Sequence, residues 1–247
     1  MVRCFIFTIG FSPEFFTASV LGRYSVDSDD EVYLIRVRTG KEIDRKSDFA
    51  VLTIKQMLSS LNVKINEVFL DPYDSCKAIE ELSKILYNKV NTCDEVIINV
   101  SGGPRYLLST CIIATIIIQS LKPNTKIKVE LLPEYGIEKN IVVDLTEYLS
   151  VIARGFEYMI SRLRDKKLGN VLACLGKFNE SFTISQVSDE LNLDYTTTDR
   201  YFNDLYTLLL IKSSQDFGKG KRYALTCIGK ILSNLLSTEF MEKKLKM

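Results

Sequence analysis

Two short stretches carry the residue types that can hold an anion. One is NVSGGPR (Asn99–Arg105), where the apolar run EVIINV ends in two glycines, a proline and an arginine. The other is IGFSPE (Ile9–Glu14), where the apolar run RCFIFTI ends in Gly, Ser and Pro. A helix that begins at such a turn presents unpaired backbone N–H groups and the positive end of its dipole. Glycines keep side-chain bulk away from that backbone, so a phosphate can approach, and Arg105 adds a charge. The expected ligand-binding residues are therefore Gly10, Phe11, Ser12 and Pro13 from one turn, with Ser101, Gly102, Gly103, Pro104 and Arg105 from the other. Neither stretch is a Walker loop or a GxGxxG, so an ordinary nucleotide is not implied. Taken singly, each is also accounted for by a tight strand-to-helix turn.

The chemistry is narrowed further by a zero. The 247 residues contain no histidine, which excludes Ser-His and Cys-His nucleophile pairs and imidazole metal sites. Proton transfer, if there is any, falls to Lys, Tyr, Asp, Glu or the substrate. The six cysteines form no CxxC pair and read as small reduced core residues, so no metal and no cofactor is expected. The start MVRCFIFTIG lacks a signal-peptide layout, and CIIATIIIQSL fits a buried helix better than a membrane span, so a cytoplasmic protein without membrane contact is expected.

The elements that must position the two turns follow from periodicity. Apolar, β-branched runs at 3–9, 31–37, 63–70, 95–100 and 126–132 alternate with helical patterns near 13–25, 46–61, 75–90 and 104–121. That alternation predicts an α/β fold with a mostly parallel, Rossmann-like sheet, and LLPEYGIEKNIVVDL adds a hairpin and an edge strand. In such a sheet the first and fourth strands lie side by side at the switch point, which merges the two turns into one floor. The loop RVRTGK (Arg36–Lys41) is either a rim of cations or a solvated charged loop, and LDPYDS (Leu70–Ser75) reads as a capped turn.

A first domain is expected over 1–144 and a connecting helix over 145–167, with Leu149, Ile152, Phe156, Met159 and Leu163 on one stripe and Gly155 as a weak point. The stripe suits a dimer seam or packing on its own domain. A second, α+β domain over 168–247 reads helix, helix, helix, hairpin, helix, the order of a winged helix-turn-helix. Thr183 and Gln186 form a capping box and Asp194 caps the recognition helix. That helix should expose Tyr195, Thr196, Thr197, Arg200 and Tyr201 and bury Thr198, Phe202 and Leu205, while the hairpin tip GKGK brings Lys219, Lys221 and Arg222. These types suit phosphate and base-edge contacts, although Asp199 and Asp204 oppose them and many winged helices contact only protein. Residues 150–247 hold 15 Lys and Arg against 11 Asp and Glu, a local +4 in a chain of net charge +1. The excess permits nucleic-acid binding without requiring it.

With GFSPE and NVSGGPR after strands one and four, and a winged helix behind them, the chain resembles the CARF-domain proteins (CRISPR-associated Rossmann fold) of archaea. It is most similar to their winged-helix transcription regulators. ISQVSDELNLDYTTTDRYFNDLYTLLLI and RYALTCIGKIL follow the helix-turn-helix and wing patterns, with Leu209 where many members have Gly. The resemblance implies a homodimer that binds a cyclic oligoadenylate, most often the tetra-adenylate, in a shared pocket, and double-stranded DNA at CRISPR-locus promoters or leaders. It also offers an alternative, because some relatives are metal-independent ring nucleases. For that activity the catalytic candidates are Ser12, Lys166 and Lys167. Other relatives carry a ribonuclease motif that needs His, which this chain lacks.

Overall fold

A computed structural model describes residues 1–21, 23–40, 43–133, 142–164, 166–178, 181–214 and 221–245. They form two compact units, Met1–Gly155 and Phe156–Met247.

The first unit is built on a six-stranded sheet in the order β3-β2-β1-β4-β5-β6. Strands β1 (Arg3–Thr8), β2 (Glu31–Val37), β3 (Lys64–Leu70), β4 (Glu95–Asn99) and β5 (Ile127–Leu131) are parallel. The edge strand β6 (Val143–Asp144) runs antiparallel to β5. Right-handed crossovers put α1 (Glu14–Phe16) and α2 (Ile43–Leu58) on one face, with α3 (Ser75–Thr92) and α4 (Arg105–Leu121) on the other. Covering both faces explains why Cys4, Phe5, Ile6 and Phe7 are all buried in succession rather than alternating. On the α2 face Phe5, Phe7, Val32, Leu34 and Ile97 pack against Phe16, Ala50, Val51, Ile54 and Leu58. The apolar run of α4 is a core helix, with Leu107, Cys111, Ala114 and Ile118 fully buried. Asp74 caps α3 through the Lys77 N–H at 2.9 Å. No helix among the described residues is long and apolar enough to cross a membrane.

Two helices depart from the periodic reading. The helix expected over 13–25 is only three residues long and passes into a π-helical turn, Thr17–Leu21. At its start the Thr17 hydroxyl and the Thr17 N–H both donate to the Pro13 carbonyl, at 3.1 and 3.0 Å. The expected connecting helix is α5 (Thr146–Arg164), followed by α6 (Lys166–Leu175), and the divide between the units falls inside α5 rather than before it. Its buried stripe is Leu149, Ala153, Ile160 and Leu163, whereas Ile152 and Phe156 are exposed. The first half docks on α4 through the Ser120 hydroxyl, which donates to the Ala153 carbonyl at 3.0 Å. Of the expected stripe, Leu149 and Leu163 are buried, Met159 is partly buried, and Ile152 and Phe156 are exposed, as are Tyr148 and Val151.

The second unit continues from α6 with α7 (Ile184–Leu191), α8 (Tyr195–Thr207), the antiparallel pair β7 (Ile211–Ser214) and β8 (Arg222–Leu225), and α9 (Cys227–Leu245). The Thr183–Gln186 capping box is formed on both sides, and Asp194 accepts the Thr197 N–H at 2.8 Å. Phe182, Phe202 and Tyr223 stack edge to face and tie the hairpin to α8. Leu209 adopts the left-handed conformation (φ 57°) between α8 and β7.

Candidate functional site

β1 and β4 are neighbours, in register from Arg3↔Glu95 to Phe7↔Asn99, so the turns that follow them lie together at the point where strand order reverses. The contact is between backbones. A Cβ on Gly102 would stand 2.2 Å from the Thr8 carbonyl oxygen, and one on Gly10 would stand 2.6 Å from the Gly103 nitrogen. Gly103 adopts φ +81°. The sequence reading assigned these glycines to the approach of a phosphate. Their first duty is different: Gly10 and Gly102 are buried so that the two turns can touch, and only Gly103 is exposed to an incoming group.

The remaining residues of the turns divide by what they already bind. The Ser101 N–H donates to Asn99 Oδ1 (3.0 Å) and its hydroxyl accepts the Leu132 N–H (2.7 Å), which ties the turn to the chain beyond β5. Ser12 accepts the Glu14 N–H at 3.2 Å, whereas the capping position of α1 is Pro13. Pro104 is the first residue before α4, and no side chain caps that helix. The N–H groups of Arg105 and Tyr106 are therefore left without a side-chain acceptor, and the Arg105 side chain is exposed beside them. Phe11 projects at the rim, 52% exposed, with Lys46 of α2 lying 5.9 Å over its ring.

Below the turns lie polar groups that periodicity does not reveal. Asn99 and Glu130 are cross-strand partners and nearly fully buried. Glu130 accepts from Arg23 at 3.2 Å and from the Tyr24 hydroxyl, which holds the segment after α1 against β5. Asn99 Nδ2 and Glu130 Oε2 have no partner. The available signal was a Glu inside the apolar run KIKVELL and an Asn inside EVIINV. The loop after β2 does not supply rim cations as a set. Arg36 is buried and paired with Asp48 and Glu67, and Arg38 lies 4.1 Å over the Phe69 ring. Lys41 is outside the described residues.

The model of the Csa3 CRISPR-associated Rossmann-like domain matches residues 3–146, more than half of the chain, and the span includes both turns. The chain belongs to this family. No curated protein matches it. In this Csa3-type domain no group of three or more acidic or cysteine side chains able to hold a metal occurs among the described residues. None of the six cysteines, all among the described residues, is in a disulfide, and burial pushes the Cys111 thiol up to about 12, which removes it as a nucleophile.

Beyond the Csa3-type domain, α8 exposes Tyr195, Thr196 and Arg200, half-exposes Thr197, and buries Thr198, Phe202 and Leu205. Tyr201 is a correction: expected outside, it is 6% exposed. It lies three residues after Thr198 and four before Leu205, which puts its ring on the buried stripe. The exposed tyrosine further along is Tyr206, half-exposed and three residues beyond the exposed Asn203. Lys221 is exposed at the hairpin, and its hydrogen bond with Tyr223 raises its pKa, so it is a full cation. Arg222 is half-buried and donates to the Ser181 hydroxyl at 2.9 Å, which makes it a brace for the hairpin. Asp204 is paired with Arg162 at 3.0 Å, which offsets one of the two opposing carboxylates. Lys219 is outside the described residues, as is the side chain of Lys166, and Lys167 stands at the start of α6.

Proposed function

We propose that this CRISPR-associated protein is a cyclic oligoadenylate-responsive, DNA-binding transcription regulator. The observation that carries the reading is the packed pair of turns at the switch point, lying wholly within the Csa3-type span. An uncapped helix start, an exposed glycine and a free-standing Arg105 make that floor suited to a phosphodiester. A cyclic tetra-adenylate has four such groups, so two copies of the floor in a homodimer can each engage two of them. The outward apolar residues Tyr148, Val151 and Ile152 supply a surface for the second copy.

The second unit is read as a winged helix-turn-helix from its element order and from the exposed face of α8. Arg200 and Lys221 are the cations offered to phosphate, with Tyr195, Thr196 and Thr197 toward bases. Ligand and DNA then bias one another, by ~1–3 kcal/mol for a typical coupled pair and by the same factor in both directions.

The test is DNA affinity with and without saturating cyclic tetra-adenylate, followed by ligand affinity with and without CRISPR-locus DNA. Reciprocal changes support the reading, and equal affinities in both arms refute the coupling. Recovery of cleaved ligand after long incubation with a chelator present would replace the regulator by a ring nuclease. On that second reading the Ser12 hydroxyl, which accepts the Glu14 N–H and keeps its own proton, would orient the ribose.

A further inference from the structure

Phe11 is an anomaly in a turn otherwise made of small residues. A phenylalanine gains most by burial, yet this one is 52% exposed at the mouth of the floor. It directly follows Gly10, whose backbone packs against that of Gly103, so Phe11 leaves the floor one residue from the contact between the two turns. Lys46 lies 5.9 Å over the ring, drawn to its π-face. Phe49, one helical turn beyond Lys46 on α2, is 67% exposed. Aromatic face, cation and phosphate-binding floor therefore occupy one rim.

We infer that Phe11 is a stacking platform for a nucleobase of the bound ligand, with Lys46 as a cation over the opposite face of the ring. The inference rests on the reading of the floor as the ligand site and adds what holds the base. Every nucleobase has a π-face, and an exposed phenyl ring recognises that face without selecting its hydrogen-bonding edge. A base joined through its ribose to a phosphate on the Gly103–Arg105 backbone would stack on that ring. Lys46 keeps the ring upright and adds attraction for the ligand's charge. A protein partner also takes exposed aromatics, but the adjoining Arg105, Lys46 and uncapped helix start select a polyanion with aromatic parts.

The experiment measures binding of cyclic tetra-adenylate, and of the same ring with one adenine replaced by fluorescent 2-aminopurine, to the wild type, Phe11→Ala, Phe11→Trp and Lys46→Ala. Because Phe11 is half exposed, the variants should melt close to wild type, which circular dichroism checks. Phe11→Ala should weaken binding by roughly 5- to 150-fold and abolish the quenching of 2-aminopurine, and Phe11→Trp should restore both. Inorganic tripolyphosphate, which has no base, should bind wild type and Phe11→Ala alike. If wild type binds the ring and Phe11→Ala binds it equally, the platform is refuted while the floor stands. Loss of tripolyphosphate binding in Phe11→Ala would mean that the ring only shapes the turn, and also refutes the platform. Failure of wild type to bind the ring refutes the ligand reading itself.

Discussion

Replacing Gly102 by alanine tests the packing of the two turns more sharply than any ligand experiment. The new methyl carbon would start 2.2 Å from the Thr8 carbonyl oxygen, 3.3 Å from the Thr8 carbonyl carbon and 3.4 Å from the Gly10 nitrogen. A normal contact to a carbonyl oxygen is about 1 Å longer, and no flexible side chain is present to give way. The backbone of β1 or of the turn must therefore move. That strains the register that pairs Phe7 with Asn99 and the Thr8 hydroxyl bond to the Asn99 carbonyl at 3.4 Å. Overpacking costs ~1–3 kcal/mol in ordinary cores, and a clash with two flanked strands belongs at or above the top of that range. At ~2–4 °C per kcal/mol for a unit of this size, the melting temperature should fall by roughly 6–12 °C. Arg105→Ala, which removes only an exposed side chain, should melt within about 1–2 °C of wild type. Scanning calorimetry on the three proteins decides the matter. A Gly102→Ala protein that melts with the wild type would falsify the argument that these glycines exist for backbone contact. It follows that a substitution of Gly102 is unsuitable as a probe of ligand binding, whereas Arg105→Ala is suitable.

Leu209→Gly should raise the stability of the second unit by up to ~1 kcal/mol, since Leu209 holds φ 57° while its side chain is 75% exposed and contributes little packing; chemical denaturation reads this. Gly155→Ala should also stabilise, by ~0.5–1 kcal/mol, because Gly155 lies in the interior of α5 with nothing within 4 Å of a new Cβ; an unchanged or lower midpoint would contradict it. Asp194 has its carboxylate pKa lowered below 3.8 by bonds from the Thr197 side chain and N–H, so its contribution is present at neutral pH and is lost as pH falls through the carboxylate range. Asp194→Asn should keep most of the cap and lose that pH dependence, and Asp194→Ala should lose both, as followed by far-ultraviolet melts from pH 7 to 3. DNA binding should weaken steeply with salt, and Lys221→Ala should reduce that slope without changing sequence preference; a slope unaltered by the substitution counts against a phosphate contact.

The sheet was legible because its strands are continuous apolar runs between turn residues, and the observed ends lie within about two residues of the runs. The two turns were legible for the same reason, since strand order follows from alternation and places β1 beside β4. What escaped was decided by partners far away in sequence. Arg36 reads as a loop cation until Asp48 and Glu67 arrive to bury it. Glu130 is one charged residue within the apolar run KIKVELL until Arg23 and Tyr24 fold over it. Tyr201 was misplaced because a tyrosine fits either side of an amphipathic helix, and its ring rather than its hydroxyl decided the matter. The α5 stripe was misread by a single position, since Ala153 is small enough to be overlooked as a contact residue yet sits beneath Ser120.

The backbone contact between the turns has a bearing on how such a site can diverge. Side-chain drift at Phe11, Ser12 or Arg105 leaves the shape of the floor untouched, because that shape is set by Thr8, Ile9, Gly10, Gly102 and Gly103 through main-chain atoms. Those glycines are constrained as a group, since any one of them gaining a side chain displaces the other turn. If the floor holds the proposed ligand, preference would be free to change at the rim while the fold stays fixed, and new ligands could be accommodated without remaking the sheet.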